Sequence, residues 1–439
     1  MATQCITSRR PFVGLILCFL VCLVNPIART VHGEDKGGLS QEKLKGVTTL
    51  LNNAHDKKQI PGGAALVFRR GHTHTSTVGY RDIEGKALLQ PDTLFRIASM
   101  SKPITSVAVM MLVEDGKLKV DDSLSKFVPE FKDMKVLVPA KDGKTYVTVK
   151  AAREITVHDL LTHSSGITYR LLNKPFVGKM YVDAGICDGL AETDSTLGDN
   201  VRKLARLPLV CQPGSAWEYG LNTDVLGHII EVVSGKSLEE FFRERIFKPL
   251  EMNDTYFVLP KEKRTRLAAL YMVGADKKLE RVGDKPVVLD TVVVSATYPT
   301  RDGSKYYSGG AGLVSTIEDY GRFGQMLLNR GELNQVRILK GETVDRMTRN
   351  QLGEVRIQFP GNDLMGYGFG ILSEMGKEVT KDPSGVGSYG WGGAFGTFFW
   401  VDPKNELVGV YMGQTFPPDF TLSTEFKKIV YESLINDKK

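Results

Sequence analysis

The sequence has little net charge, few cysteines and no long apolar run after its first 30 residues. Lysine and arginine total 57 against 51 acidic residues. Residues 1–33 contain three arginines and no acid, so residues 34–439 carry 54 basic and 51 acidic side chains, or +3. A balance this even gives no reason to expect a nucleic-acid partner. The hydrophobic fraction of 42% and the charged fraction of 25% exclude a disordered chain, a collagen-like repeat and a multi-span membrane protein.

Only two cysteines, Cys187 and Cys211, follow residue 33. In an oxidising compartment these two thiols can form a disulfide, which would stabilise the fold by about 3 kcal/mol. Two unpaired buried thiols are an equally good interpretation, because the sequence does not give the Cα separation that a disulfide requires.

The first 33 residues have the organisation of an export signal. Arg9 and Arg10 precede the uncharged apolar segment Pro11–Val24, and Val31-His32-Gly33 offers small residues for signal peptidase. The paired arginines also fit a twin-arginine signal. The apolar run is short for the ~20 residues that span a bilayer, and an uncleaved anchor is the alternative. We therefore expect a signal peptide at residues 1–33, an exported protein that is periplasmic or secreted, and no stable membrane insertion after cleavage.

Strand-like sequence occurs near both ends of the chain, with helical and irregular sequence between them. A predicted helix from Ser40 is followed by a hairpin over residues 64–80, and residues 396–401 and 407–412 alternate like strands before a closing helix. The chain contains no sign of βαβ alternation. It therefore predicts one α+β domain over residues 34–439, in which an antiparallel sheet formed from both chain ends is flanked by helices. A mostly helical insertion is expected at about residues 120–300.

Ser99-Met100-Ser101-Lys102 is a Ser-x-x-Lys sequence at the start of a predicted helix over residues 99–114. Spacing of i and i+3 puts the hydroxyl and the ammonium on one helix face. A serine becomes a nucleophile when a neighbouring group accepts its proton. Ser-x-x-Lys also occurs at Ser40–Lys43 and Ser123–Lys126, where a cap followed by a solvated lysine is expected. The copy at Ser99 differs because apolar sequence on both sides would hold Lys102 inside the protein.

Two further segments carry candidate site residues. Tyr219 lies just before a predicted helix, where a tyrosine is by itself usually a packing residue. Trp391-Gly392-Gly393-Ala394 precedes the late strands, and its small residues allow the backbone to approach a ligand closely. A β-bulge or a strand-end turn is the alternative interpretation of those glycines.

In order and setting, these segments resemble the serine β-lactamase and penicillin-binding protein superfamily, most of all its class C β-lactamases, DD-peptidases and family VIII carboxylesterases. The likeness covers roughly residue 40 to the C-terminus and implies the β-lactamase/DD-peptidase-like fold. It also implies acyl transfer without a metal or cofactor. Ser99 would attack a carbonyl, Lys102 and Tyr219 would share the base and acid work, and the backbone N–H groups of Ser99 and Ala394 would form the oxyanion hole.

The sequence departs from that family at two motifs. The second motif is usually Tyr-x-Asn, but Leu221 occupies its third position, so Asn222 would bind substrate only with a local bulge. The third motif is usually Lys-Thr-Gly, but here it is Trp391-Gly392-Gly393. That change removes the cation that would bind the carboxylate of a β-lactam or a peptide C-terminus. Because a Trp-x-Gly variant is a feature of the esterase branch, we expect hydrolysis of carboxylic esters.

An apolar acyl pocket is expected beside the nucleophile, with its walls formed by Trp391, Phe395 and Trp217. Gly392 and Gly393 are expected to face the substrate. Two alternatives stay open: a D-amino-acid peptidase or weak β-lactamase of the same fold, and a non-catalytic binder of cell-wall peptides. The altered second and third motifs favour the binder, whereas a binder has no need for Ser99, Lys102 and Tyr219 together. The absence of a Gly-x-Ser-x-Gly sequence disfavours an α/β-hydrolase. The sequence leaves the oligomeric state open.

Overall fold

The computed structural model describes residues 36–276, 278–357, 366–373 and 383–435. The predicted signal peptide lies outside these residues. The described segments belong to one compact unit, Asp35–Lys439. Among them, no helix is long and apolar enough to cross a membrane.

The first helix of the described chain follows a capping residue, because the Ser40 hydroxyl accepts a hydrogen bond from the Lys43 N–H. In chain order the α-helices are α1 Gln41–Asp56, α2 Ser101–Glu114, α3 Val157–Leu161, α4 Val177–Asp183, α5 Leu197–Leu204, α6 Asn222–Ser234, α7 Leu238–Phe242, α8 Ile317–Leu328, α9 Gly341–Met347 and α10 Thr421–Glu432. The predicted helices at both ends of the chain and at residues 317–328 are confirmed.

The strands include long ones near the two ends of the chain and many of two to five residues elsewhere. In chain order they are β1 Gly62–Arg69, β2 His72–Asp82, β3 Ala87–Leu88, β4 Phe95–Arg96, β5 Lys135–Pro139, β6 Tyr146–Lys150, β7 Tyr271–Val273, β8 Leu279–Arg281, β9 Val287–Leu289, β10 Val292–Val294, β11 Val314–Ser315, β12 Glu332–Leu333, β13 Val336–Arg337, β14 Gly366–Tyr367, β15 Leu372–Ser373, β16 Tyr389–Gly393, β17 Thr397–Asp402, β18 Leu407–Met412 and β19 Thr415–Phe416.

The main sheet joins the two ends of the chain. Its strand order is β14-β15-β16-β17-β18-β1-β2-β3, and each neighbouring pair is antiparallel. The N-terminal strand β1 pairs with the C-terminal strand β18 from Ala64↔Met412 to Arg69↔Leu407. The prediction of one antiparallel sheet formed from both chain ends is therefore confirmed.

Helices cover the sheet on both faces. The side chains of β1 therefore alternate between two apolar clusters, one on each face. Ala65 and Val67 pack with α1 and α10, whereas Ala64 and Leu66 belong to the large core that contains α2 and α8. Since both faces are covered, β1 has a nearly continuous apolar sequence.

Helix α2 lies inside this core rather than at its edge. Every residue from Ser101 to Leu112 is buried. The prediction of one apolar stripe on this helix is therefore incomplete: its polar residues are also covered, because α6 and the segment 309–313 pack against them. The burial of Lys102 follows from this position.

The middle of the chain differs from the predicted helical insertion. Helices α3 to α7 are present, but the same region contains the hairpin β5–β6, the hairpin β9–β10, and strands β7 and β8, which form a small sheet with β19. Several of these strands have only three residues, too few to show alternation in the sequence. Strand β6 is exposed on both faces, so its composition carries no burial pattern.

Candidate active site

Ser99 lies in a tight turn at the entrance to α2. A 3₁₀ turn spans Ala98–Met100, and α2 begins at Ser101. Ala98 has a φ of +41°, in the left-handed region that costs a non-glycine residue about 1–3 kcal/mol. Hydrogen bonds hold the turn on both sides, because Ile97 N–H donates to Leu313 O over 3.0 Å and Tyr320 OH donates to Met100 O over 2.8 Å. The chain therefore presents Ser99 from a fixed and strained backbone.

The structure brings the hydroxyl of Ser99 together with Lys102 and Tyr219. Lys102 Nζ donates to Ser99 Oγ over 3.0 Å, and Tyr219 OH donates to the same oxygen over 2.7 Å. Lys102 is fully buried, whereas Ser99 and Tyr219 are half-buried. The ammonium also lies 4.7 Å from the centroid of the Tyr219 ring and 5.3 Å from that of Tyr169. A serine in contact with two proton-exchanging groups is the arrangement that nucleophilic catalysis requires.

The glycine cluster 309–312 completes the surroundings of the lysine. Lys102 Nζ donates to Gly310 O over 2.9 Å, and Thr105 Oγ1 donates to Gly309 O over 2.7 Å. A Cβ atom at Gly309 would lie 2.8 Å from Thr223 O, and one at Gly310 would lie 2.5 Å from Asp224 Oδ2. Only glycine lets this segment come so close to both α2 and α6. The sequence analysis missed this role, although the run of glycines was a visible signal.

Two buried groups behind the lysine have altered protonation. Burial raises the pKa of Asp224 to about 6, although Ser308, the charge of Lys102, Tyr306 and the Gly310 backbone oppose this shift. Burial, with the neighbouring Tyr219 and Asp224, also raises the pKa of Tyr169 well above its usual value. Asp224 is thus a carboxylate at neutral pH that lies close to the buried Lys102 ammonium.

An aromatic group surrounds Tyr219. Trp217 stacks on it with centroids 5.8 Å apart, and the rings of Tyr169 and Trp391 lie 5.1 and 5.7 Å away. Trp217 is only 4% exposed, so it supports the Tyr219 ring instead of forming the expected wall of an open pocket. Trp391 contacts Tyr219 directly and is only 6% exposed, so it too packs against the Tyr219 ring and does not form the expected wall of an open pocket.

His163 lies beneath this aromatic group. It is fully buried, and burial together with the charge of Lys102 holds its pKa well below the usual range, so the ring is neutral. Its Nδ1 accepts a hydrogen bond from Gly220 N–H over 3.3 Å. His163 is therefore a structural residue of the loop that follows α3.

Asn222 does not take the substrate-binding role expected for it. It is the first residue of α6 and is fully buried. Its amide nitrogen contacts His163 Nδ1 at 2.9 Å and donates to Ile167 O over 3.3 Å, and its side-chain oxygen accepts from Ser165 Oγ. Because the helix register turns the side chain toward the 163–167 loop, Asn222 holds that loop against the Tyr219 segment.

The third motif lies within a strand of the main sheet and directly precedes the late strands β17 and β18, as predicted. Strand β16 includes Trp391, Gly392 and Gly393. A Cβ atom at Gly393 would collide with Ile97 O and Thr397 Oγ1, so glycine is required for the strand to pass beside the Ser99 turn. Ala394 follows directly and is half-buried beside Ala98.

Phe395 differs from expectation, and the structure decides between the two interpretations of the cysteines. Phe395 is fully buried in a cluster with Ala98 and Ala311, so it is a packing residue and not a pocket wall. Cys187 and Cys211 are both unpaired thiols. The alternative of a disulfide between them is therefore not what the structure contains.

Comparisons with known proteins find a matching family model and several similar hydrolases. The beta-lactamase family model matches residues 47–431. Esterase EstB of Burkholderia gladioli is 32% identical over 80% of this chain and 86% of its own length. Lovastatin esterase of Penicillium rubens is 30% identical over 87% of this chain and 95% of its own. The solved structure of "EstCE1, a hydrolase with promiscuous acyltransferase activity" is 28% identical, with a TM-score of 0.76 over 89% of this chain and 99% of EstCE1.

Proposed function

The chain belongs to the beta-lactamase family and is an enzyme of the serine hydrolase type, and from that premise we propose that it cleaves carboxylic esters through an acyl-enzyme on Ser99. The observation that carries the proposal is the position of Ser99 Oγ, which lies 3.0 Å from Lys102 Nζ and 2.7 Å from Tyr219 OH. Either group can exchange a proton with the serine during attack and with the leaving group afterwards.

In the first half of the reaction, Ser99 Oγ bonds to the ester carbonyl carbon. Its proton passes to Tyr219 as the phenolate or to Lys102 as the neutral amine, and from there to the departing alcohol, which leaves an acyl-Ser99 ester. In the second half, water gives up a proton to the same groups, attacks the acyl carbonyl and releases the acid. The fully buried Lys102 ammonium beside both hydroxyls stabilises negative charge that forms on either oxygen.

The backbone N–H groups of Ser99 and Ala394 are proposed as the oxyanion hole. The support is local: Gly393 lets β16 pass directly beside Ile97, and Thr397 Oγ1 donates to Ile97 O over 3.2 Å. Strand β16 therefore ends next to the turn that carries the nucleophile. Donors fixed in advance in this way stabilise a developing oxyanion without reorganisation.

Esters are favoured over β-lactams because an indole stands where the family usually has a lysine. Trp391 packs on Tyr219 and offers no cation to a substrate carboxylate. Half-buried apolar side chains also line the neighbourhood of Ala98 and Ala394, and they include Leu171, Met272, Val292, Ala296 and Phe416. Such surroundings suit an apolar acyl or alcohol group. The similarity to EstB and lovastatin esterase supports the same class.

The test is hydrolysis of p-nitrophenyl esters of short and long acyl chains beside a chromogenic cephalosporin. Ester turnover with little cephalosporin cleavage is the expected result. Rapid cephalosporin turnover without ester turnover would contradict the ester proposal. It would instead identify the protein as a β-lactamase of the same fold. Adding an alcohol acceptor to the ester assay tests acyl transfer, since EstCE1 is described as having promiscuous acyltransferase activity.

The non-catalytic binder is separated from an enzyme by covalent labelling. A fluorophosphonate probe forms a stable adduct with an activated serine hydroxyl, and we expect the adduct on Ser99. The hydrolase proposal would be contradicted if the probe labelled no residue and the protein hydrolysed neither esters, nor cephalosporin, nor D-amino-acid peptides.

We also propose that the enzyme acts after export. The support is the basic-then-apolar composition of residues 1–33 and the small residues Val31-His32-Gly33 at their end. N-terminal sequencing of protein recovered from the cell envelope or medium should begin near Glu34. Protein that stays in the cytoplasm with Met1 intact would contradict this proposal.

A further inference from the structure

A hairpin on the surface of the structure carries an apolar face that the described residues leave largely exposed. We define the valine hairpin as residues 132–150, which include β5 and β6. The pairing Val136↔Val149 and Val138↔Val147 puts all four valines on one face of the ribbon. Val138, Val147 and Val149 are 40, 57 and 41% exposed, whereas Val136 at the base is buried.

Backbone hydrogen bonds tie the valine hairpin to the rest of the protein through strand β5. Leu137 N–H donates to Leu209 O and Leu209 N–H donates to Lys135 O, each over 2.8 Å, so β5 is fixed to the rest of the protein. Strand β6 pairs with β5 alone among the described residues and is exposed along its whole length. A two-stranded ribbon is marginally stable in water, and a contiguous exposed apolar face typically marks a surface that binds something.

Positive charge surrounds this face. The valine hairpin contains five lysines and two aspartates, a net charge of +3. Asp133 pairs with Lys150 at 3.3 Å, and the Asp142 carboxylate accepts hydrogen bonds from the backbone of its own turn, at Lys144 and Thr145. The other lysines have no ion pair among the residues that the structure describes; they are Lys132, Lys135, Lys141 and Lys144, and all four are exposed.

We propose that the valine hairpin docks on the surface of an anionic lipid bilayer, with the three exposed valines at the acyl boundary and the lysines among the headgroups. An apolar face flanked by unpaired lysines has the composition of an interfacial membrane-binding element. The charge argues against a second copy as the occupant, because a two-fold contact would oppose +3 to +3. Docking of this kind is peripheral, since the hairpin is too short to cross a bilayer.

The docked hairpin would hold the Ser99 site near the membrane. The Tyr146 ring lies 5.1 Å from that of Phe176. Two residues before Phe176, Lys174 Nζ binds Glu218 Oε2 at 3.0 Å, and Glu218 precedes Tyr219 directly. The valine hairpin and the Tyr219 segment are thus joined through one short loop.

Sedimentation of the full chain with vesicles tests the proposal without any activity measurement. Binding is expected to vesicles that contain about one-third phosphatidylglycerol, and little to pure phosphatidylcholine. Each lysine near an anionic surface contributes about fivefold, so Lys141→Gln with Lys144→Gln should weaken binding about 25-fold. Val147→Thr with Val149→Thr keeps β-branched side chains in β6 and should weaken binding about tenfold.

Matched controls keep the outcome clear. Lys57→Gln with Lys58→Gln removes the same charge from exposed positions after α1, and Val232→Thr changes a valine that is 47% exposed elsewhere. All variants share residues 1–33, so any contribution of that segment to vesicle binding is common to them. Equal losses in the control variants, or binding unaffected by the hairpin variants, would overturn the proposal. A concentration-dependent dimer that Val147→Thr with Val149→Thr dissociates would assign the face to a second copy instead.

Discussion

The Ser99 and Ser123 copies of Ser-x-x-Lys place the same residue types at the same spacing in two different environments. Each serine lies at a 3₁₀ turn, at Ala98–Met100 in one copy and just before Leu124–Lys126 in the other. Lys102 is fully buried and donates to its own serine, whereas the side chain of Lys126 is 55% exposed and pairs with Asp122 at 2.8 Å. The i, i+3 spacing brings the lysine amine within reach of the serine. Whether the amine contacts that serine depends on the burial of the lysine side chain.

The nearest acids show the same contrast. Asp122 is partly desolvated, but its hydrogen bonds to Lys126 and to the Lys119 N–H prevail and lower its pKa. Asp224, near Lys102, has a pKa raised to about 6 because burial outweighs the favourable interactions with Ser308 and Lys102. At the surface, Asp122 and Lys126 stabilise each other at little cost of desolvation. In the core, the fold holds Asp224 and Lys102 in place at a cost in free energy, which is typical of functional sites.

The largest expected effect separates the two serines. Ser99→Ala removes the nucleophile and should lower kcat/KM for an ester by at least about 10⁴-fold. Ser123→Ala should leave kcat/KM within about twofold, because that serine faces no amine. Steady-state kinetics with a p-nitrophenyl ester measure both. Comparable turnover by Ser99→Ala and the wild-type protein would show that another residue attacks the ester.

The two lysines are expected to differ next. Lys102→Met keeps an unbranched side chain but removes the amine, and should lower kcat by about 10³-fold, as for loss of a general base. Lys126→Met removes a surface ion pair and should change neither kcat nor, by more than about 1 kcal/mol, the free energy of unfolding. Circular dichroism with each kinetic measurement shows whether the variant is folded. A folded Lys102→Met protein with normal kcat would leave Tyr219 as the sole base.

The two acids give a difference that depends on pH. The pKa of Asp224 is about 6 in the folded protein and near 4 when unfolded, so its stabilising contribution is complete below about pH 4 and lost as the pH rises through 6. A shift of about two pKa units corresponds to about 3 kcal/mol. Relative to the wild-type protein, Asp224→Asn should therefore gain about that much free energy of unfolding between pH 4 and pH 7.

Asp122→Asn should show the opposite sign. The pKa of Asp122 is lowered in the folded protein, so its contribution is present at neutral pH and lost as the pH falls through the lowered value. Urea titrations at pH 2.5, 4.5 and 7.5 compare both variants with the wild-type protein, because the Asp122 contribution changes below about pH 4 and the Asp224 contribution changes above it. Parallel pH dependence in the two variants would contradict the burial of Asp224 as the cause of its shift.

Much of the fold could be predicted because its long elements have clear patterns. Strand β2 appears in the sequence as alternation and helices α1 and α10 as helical spacing, and the pairing of both chain ends follows from strands at those ends. The short strands of the middle region could not be predicted, because three residues such as Val287–Leu289 show no period. Their pairing depends on contacts distant in sequence.

The candidate site could be predicted from sequence where motifs and their resemblance to a known family indicate the chemistry, as for Ser99, Lys102 and Tyr219. It was not accessible where a tertiary contact decides the role. The carbonyl of Gly310 binds Lys102 although any residue has a carbonyl, and Asp224 has no sequence signal that separates it from other helical acids. Asn222 was misinterpreted because one position of helix register turns its amide away from Ser99 and toward His163.

The smallest expected effect concerns the third copy of Ser-x-x-Lys, at Ser40. The Ser40 hydroxyl caps α1 by accepting from Lys43 N–H at 3.5 Å, and the Lys43 side chain donates to Glu432 O over 2.8 Å. Ser40→Ala should therefore lower the free energy of unfolding by about 0.5–1 kcal/mol, the low end for a cap, since this hydrogen bond is long. Kinetic constants should not change, because α1 lies on the face of the main sheet opposite α2. Urea unfolding and ester kinetics on both Ser40→Ala and Ser99→Ala complete the comparison. The Ser40 variant should lose stability and keep activity, whereas the Ser99 variant should keep stability and lose activity. Loss of ester turnover in a folded Ser40→Ala protein would show that the Ser-x-x-Lys spacing itself, independent of burial, contributes to catalysis.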